Sequence, residues 1–237
     1  IMEKNMKINV SLYNSQTNDL AIVIDLLRAS TTISVALSTF KRIVPINDID
    51  EAIKLKEKHN AILAGEIKSS DFDVSNSPVQ ISNYAGDTLI LKTTNGTKVL
   101  ENIKQRNSEV NILVGASINA KTVAQKALDI ADNEIELVMA GRHQRFTIED
   151  CIGAGIIINE MVNIAKEKNI YLELSESAKA SKIISNNSNI IKQLINTSHS
   201  ADKLRYLGFG EDIEICSLIN KIDTVPIYKN NYIVSLD

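Results

Sequence analysis

AIVIDLLRASTTISVAL, residues 21–37, reads as an apolar strand that stops at Asp25, a polar cluster of Arg28, Ser30, Thr31 and Thr32, and then an amphipathic helix. A second stretch repeats the plan: DTLILKTTNGTKVLENI, residues 87–103, runs strand, then Thr93, Thr94, Asn95, Gly96 and Thr97, then helix. Helix starts present unpaired N–H groups and the positive end of a dipole. A hydroxyl-rich junction beside an arginine therefore suits a phosphate or sulfonate.

Outward from these junctions, apolar runs of strand length recur at 21–24, 43–46, 61–64, 88–91, 110–114, 137–140 and, in part, 225–234. Segments of helical period lie between most of them, marked by Ile33, Ala36, Leu37 and Phe40, by Val99, Leu100 and Ile103, and by Ala120, Val123, Ala124, Ala127 and Leu128. Such alternation, with strands apolar on both faces, predicts an α/β fold on a mainly parallel sheet covered on both sides. The second half is more helical. Thr147 with Asp150 resembles a capping pair opening a helix over 147–168, with Asn169 as its stop. Ser198 caps a further helix that Gly208 ends, and 175–189 reads as helix then loop. No Pro/Gly-rich boundary or repeat divides the chain, so residues 1–237 read as a single α/β domain.

Composition narrows the function classes. With 44% hydrophobic and 23% charged residues in 237, the chain has ordinary globular usage and enough length to bury a core. A net charge of -3 with scattered Lys and Arg argues against a duplex nucleic-acid binder. No stretch reaches the roughly 18 apolar residues that a membrane span needs, and the start has no long apolar segment. A cytoplasmic location is expected. Cys151 and Cys216 lack C-x-x-C spacing, which predicts buried thiols rather than a zinc or redox site.

In an open α/β sheet, ligands sit beyond the carboxyl ends of the strands. Five strand ends carry polar sets: Asp25 to Thr32; Gly65 and Glu66, with Asp71, Asp73, Asn76 and Ser77 in the next loop; Thr93 to Thr97; Ser117 and Asn119; and Gly141 and Arg142, followed by Glu149 and Asp150. Each has a plainer reading alone. Asp25 could cap the next helix, Arg28 could be a surface ion-pair partner, Thr-Asn-Gly-Thr could be a turn, and acids in a first helical turn favour the dipole. Together they suit a hard cation beside an anion pocket. Asp25, Glu66 and Glu149 or Asp150 would supply carboxylates to Mg²⁺, while Arg28 and the hydroxyl loops meet a phosphoryl group. Of the histidines, His59 reads as surface and His143 lies in a strand-end loop where it could donate to a substrate. His199 is either a general acid or a helix-start residue. No P-loop, G-x-G-x-x-G after the first strand, G-x-S-x-G or H-E-x-x-H occurs.

In this order, IDLLRASTT (24–32), GE (65–66), FDVSNSP (72–78), TTNGT (93–97), ASINA (116–120), AG (140–141), FTIED (146–150), AG (154–155), SH (198–199), LGFGED (207–212) and VP (225–226) resemble the 2-phosphosulfolactate phosphatase family, over roughly residues 20–226. The resemblance implies a three-layer α/β/α fold and a Mg²⁺-dependent hydrolase that converts 2-phospho-3-sulfolactate to 3-sulfolactate and phosphate, a step of coenzyme M or sulfolactate synthesis. It implies catalytic roles for Asp25, Arg28, Glu149, Asp150 and His199, with Asp25 and Glu66 on the metal. Phosphate would fall to Ser30, Thr31, Thr32 and to Thr93, Thr94, Asn95, Gly96 and Thr97. The sulfonate or carboxylate would fall to Asn76, Ser77, Ser117, Asn119 and Arg142. Where the family pattern favours glycine, this chain carries Asp71, Ser75, Arg145 and Ser200. That keeps a non-catalytic small-anion-binding protein as the alternative. The partner expected is a small anionic phosphoester, with neither nucleic acid nor membrane, and a homo-oligomer such as a dimer is compatible with the sequence.

Overall fold

The computed structural model describes residues 4–66 and 70–236. The first half runs β1 (Asn5–Leu12), β2 (Leu20–Ile24), α1 (Ala29–Ala36), β3 (Phe40–Ile46), α2 (Ile49–His59), β4 (Ile62–Gly65), β5 (Val74–Ser75), α3 (Pro78–Ile81), β6 (Gly86–Lys92) and α4 (Asn95–Arg106). The second half runs β7 (Asn111–Val114), α5 (Ala120–Ile130), β8 (Glu134–Met139), α6 (Ile148–Lys168), β9 (Tyr171–Leu174), α7 (Glu176–Ile184), α8 (Ser188–Asn196), α9 (His199–Tyr206), α10 (Gly210–Cys216), β10 (Pro226–Lys229) and β11 (Tyr232–Ser235). Helices cover a large, mostly parallel mixed sheet as a three-layer α/β/α arrangement. Residues 67–69 of the loop after β4, which the sequence reading includes in its polar set, lie outside the described residues.

The sheet order is β5-β4-β6-β3-β11-β10-β7-β2-β8-β1-β9. Two parallel blocks make it up. In one, β7, β2, β8, β1 and β9 run together; in the other, β5, β4, β6 and β3 do. The β10–β11 hairpin joins them through antiparallel pairings at both sides, so the blocks run in opposite directions. A flat sheet would send their carboxyl ends to opposite edges. Here those ends meet, because Gly96 after β6 lies against Asp25 after β2, and the sheet must turn sharply between the blocks. The hairpin is the place for that turn, since a single pairing, Ile233 with Ile43, links it to β3. The five strand ends that carry the polar sets therefore do not share one edge of a flat sheet. They belong to two opposed edges folded together.

β2 is buried at every position, as a central parallel strand should be. β1 alternates instead, burying Met6, Ile8 and Val10. Residues 149–158 of α6 are buried without a break, and this helix packs against α5, α7 and α8. Gly155 permits the closest of these approaches: a Cβ there would stand 2.0 Å from the Ser181 carbonyl oxygen of α7. The helix ends where expected, with Asn169 in the left-handed region at φ 55. Its start differs. Thr147 occupies the N-cap position, yet its hydroxyl donates to the Asp150 carboxylate and caps no N–H. Segment 175–189 holds one helix and the start of another, because Asn187 accepts from Asn189 and Ile190 and caps α8. Among the described residues no helix is long and apolar enough to cross a membrane.

Candidate active site

Where the carboxyl ends meet, a cavity of about 170 Å³ opens. Asp25, Glu66, Glu149 and Asp150 face it from one side of the charge balance, and Arg28, Arg142, His143, His199 and Lys203 from the other. Asn76, Thr94 and Asn95 complete the polar lining.

Asp150 fastens three elements together. Its carboxylate accepts from the Leu26 N–H at 2.8 Å, the Gly141 N–H at 2.9 Å and the Thr147 hydroxyl at 2.8 Å, tying the end of β2 to the end of β8 and the start of α6. Gly141 meets this bond at φ +65, a conformation that favours glycine. Burial and the neighbouring Glu149 push the Asp150 carboxyl up to about 7, against the pull of those three donors. Asp25 sits at the first turn of α1. Burial, then the charges of Asp150 and Glu66, raise its carboxyl well above the ordinary value of 3.8; the Ala29 N–H works the other way, and Glu149 adds a smaller push upward. Glu66 is oriented by Thr94, whose N–H and hydroxyl donate to its two oxygens at 3.0 and 3.1 Å.

Arg28 is held from outside its own loop. Its Nη1 lies 2.5 Å from Asp212 of α10, and its guanidinium stacks 4.5 Å from the centroid of Phe209. Asp212 also accepts from the Ser77 hydroxyl at 2.6 Å and the Val79 N–H at 3.4 Å. Arg28 thus keeps one face on the cavity while a buried carboxylate fixes the other. The Leu27–Arg28 peptide is cis. Arg142 projects from a two-residue turn in which Arg142 and Arg145 exchange both backbone hydrogen bonds. His143 and Gln144 take φ of 50 and 62 there, a type I′ geometry that bulky residues adopt at a cost.

Several predicted residues are turned away from the cavity. Ser30 accepts from the Asp25 N–H, Thr31 donates to the Leu26 carbonyl, and Thr32 is buried without a partner among the described residues, so this trio builds the junction rather than lining the pocket. Thr93, Gly96 and Thr97 line a smaller space behind Asp25, where the Thr93 and Thr97 hydroxyls have no partner among the described residues. Ser77 is committed to Asp212 and to capping α3. Ser117 donates to the Cys216 carbonyl; Asn119 accepts from the Ala116 N–H and donates to the Thr224 carbonyl. Both belong to a 3-10 turn that anchors the chain after α10, and neither reaches the cavity.

Two features escaped the sequence reading: Asp212, the buried partner of Arg28, and Lys203, which lines the cavity from the helix that presents His199. Asp212 lies within LGFGED, the only signal that could have drawn attention to it. None of the four positions where the family pattern favours glycine, Asp71, Ser75, Arg145 and Ser200, takes a left-handed backbone here. Cys151 and Cys216 are buried free thiols, and burial pushes Cys216 up to about 12.

Among the described residues, no three His, Cys, Asp or Glu side chains are gathered as a ready metal cage. The donor set is nonetheless one of hard oxygens. Four carboxylates share the cavity, and Arg28, the most deeply buried of its cations, is already paired with Asp212.

The family described as 2-phosphosulpholactate phosphatase matches the chain over residues 7–231. The chain is 37% identical over 230 residues to a 2-phosphosulfolactate phosphatase of Methanothermobacter thermautotrophicus, covering 96% of this chain and 95% of that protein. It is also 37% identical over 230 residues to a probable 2-phosphosulfolactate phosphatase of Carboxydothermus hydrogenoformans, covering 93% and 92%. A probable 2-phosphosulfolactate phosphatase of Clostridium acetobutylicum is 34% identical over 225 residues, with 92% of each chain covered.

Proposed function

Since the chain belongs to the 2-phosphosulfolactate phosphatase family, we propose that it hydrolyses 2-phospho-3-sulfolactate to 3-sulfolactate and phosphate in a Mg²⁺-dependent reaction. The observation that carries this reading is that one cavity is lined both by four carboxylates, Asp25, Glu66, Glu149 and Asp150, and by the basic residues Arg28, Arg142, His199 and Lys203. A substrate with three anionic groups needs both, the basic residues for direct contact and the carboxylates to hold the cation that would neutralise its phosphate.

Asp25 and Glu66 are the residues we assign to Mg²⁺, which supplies charge neutralisation at the phosphoryl oxygens. Such sites usually take one or two carboxylates and leave the remaining positions to water and phosphate, so a closed cage of protein ligands is not required. Thr94 orients Glu66 for that task. Arg28, braced by Asp212, directs its free N–H groups at a phosphoryl oxygen. Glu149 lines the cavity and makes none of the hydrogen bonds that occupy Asp150, which suits it to take a proton from the attacking water. As the new P–O bond forms, the bond from phosphorus to the C2 oxygen breaks, and His199 returns a proton to that oxygen.

The test is phosphate release from 2-phospho-3-sulfolactate by purified protein. Turnover is expected with Mg²⁺, loss with EDTA, and recovery on adding Mg²⁺ back. Equal rates in EDTA and Mg²⁺ would remove the metal from the mechanism. No release in either would leave an anion-binding protein.

A further inference from the structure

α9 turns one face to the cavity, with His199, Ser200, Lys203, Leu204 and Leu207 following the helical period. Helix starts leave their first N–H groups without intrahelical partners. The Ser198 hydroxyl takes the N–H of Ala201, which leaves those of His199 and Ser200 open. Lys203 is exposed and makes no ion pair among the described residues. Independently, Asn76 is 3% exposed, lines the same cavity and has a side-chain oxygen without a partner among the described residues, so a buried amide is left for a ligand here.

Resting on the phosphatase reading above, we propose that the first turn of α9 and Lys203 form the sulfonate subsite, and that Lys203 determines specificity for a substrate with a charged group on C3. The charge distribution separates the three anions. The phosphate is the one that a cation can hold at the carboxylates, which leaves the other two to the basic residues that line the same cavity. Arg142 offers a planar fork, which matches a flat carboxylate. A sulfonate is tetrahedral with three equivalent oxygens. It suits a compact ammonium and a pair of helix-start N–H groups, as phosphate does. Asn76, with its amide turned so that the NH₂ faces inward, would donate to the anion between them.

The experiment compares wild type with Lys203→Met and Lys203→Arg on 2-phospho-3-sulfolactate and on 2-phospholactate, which has a methyl group in place of the sulfonate arm. Lys203→Met is expected to lower the kcat/KM ratio of the sulfonated over the methyl substrate about tenfold, through KM, with Lys203→Arg restoring part of it. An unchanged ratio would overturn the proposal. If wild type hydrolyses neither phosphoester, the phosphatase reading fails separately, and calorimetric binding of sulfoacetate decides the subsite. Binding weakened about tenfold by Lys203→Met supports it; equal binding by both proteins overturns it.

Discussion

Arg28 and Asp212 are 184 positions apart in sequence, yet their side chains meet at 2.5 Å with 5% and 2% of their surfaces exposed. A buried pair of this kind contributes little net stability compared with apolar packing, but breaking it strands a charge. Asp212→Ala should therefore lower the unfolding free energy by about 3–5 kcal/mol. Asp212→Asn, which can still accept from Ser77, should lower it less. Urea denaturation reads both. A loss below about 1 kcal/mol for the alanine variant would mean that water reaches Arg28 and compensates it.

The carboxylate cluster makes stability depend on pH in a definite direction. Asp25 and Asp150 hold their protons above the ordinary value of 3.8, Asp150 to about 7. The unfolded chain releases those protons earlier, so the stabilisation is complete below pH about 4 and is lost as pH rises toward 7. In EDTA, the thermal midpoint should fall from pH 5 to pH 8. Mg²⁺ should raise it more at pH 8 than at pH 5, because binding must displace protons at the lower pH. Calorimetry at the two pH values, with and without Mg²⁺, checks this. A Mg²⁺ gain that is the same at both would remove Asp25 from the metal site.

The strand-to-helix junctions were legible because an apolar run followed by hydroxyls and a helical stripe is a local pattern. β1 was not, since its buried Met6, Ile8 and Val10 alternate with polar residues and form no continuous apolar run. β9 and the start of α8 were hidden for other reasons, one because none of its 4 positions is fully buried and the other because Asn187, which caps it, read as loop. The opposed direction of the two sheet blocks depends on which strands the C-terminal hairpin pairs with, and no local spacing encodes that. Ser117 and Asn119 show the converse. Polar residues at a strand end looked like ligand contacts, but they satisfy backbone groups near the end of α10 and at Thr224.

Gly155 tests the packing behind the site. A methyl group there would lie 2.0 Å from the Ser181 carbonyl oxygen and 2.2 Å from the Ser185 hydroxyl, so α7 must move away from α6. Gly155→Ala gains helix propensity worth about 1 kcal/mol. Overpacking against backbone costs typically 1–3 kcal/mol and occasionally more, and the clash here is severe enough for a net loss. A lower urea midpoint with an unchanged m-value is expected; a raised midpoint would show that the α6–α7 contact yields freely.

Asp25→Asn separates what the site needs from what the fold prefers. The Asp25 carboxylate is buried, and Asp150, Glu66 and Glu149 all disfavour its charge. An asparagine of nearly the same shape keeps an oxygen for the Ala29 N–H and removes the repulsion. In EDTA at pH 8, the variant should melt about 2–4 °C higher than wild type, the shift that about 1 kcal/mol produces in a chain of this length. It should also lose most of its stabilisation by Mg²⁺. Turnover should drop at least about 100-fold, since the interaction removed is one that stabilises developing charge. A gain in stability with a loss of activity marks a residue retained for function against its cost to the fold. A variant that melts lower and still turns over would place Asp25 among the structural carboxylates, with Asp150.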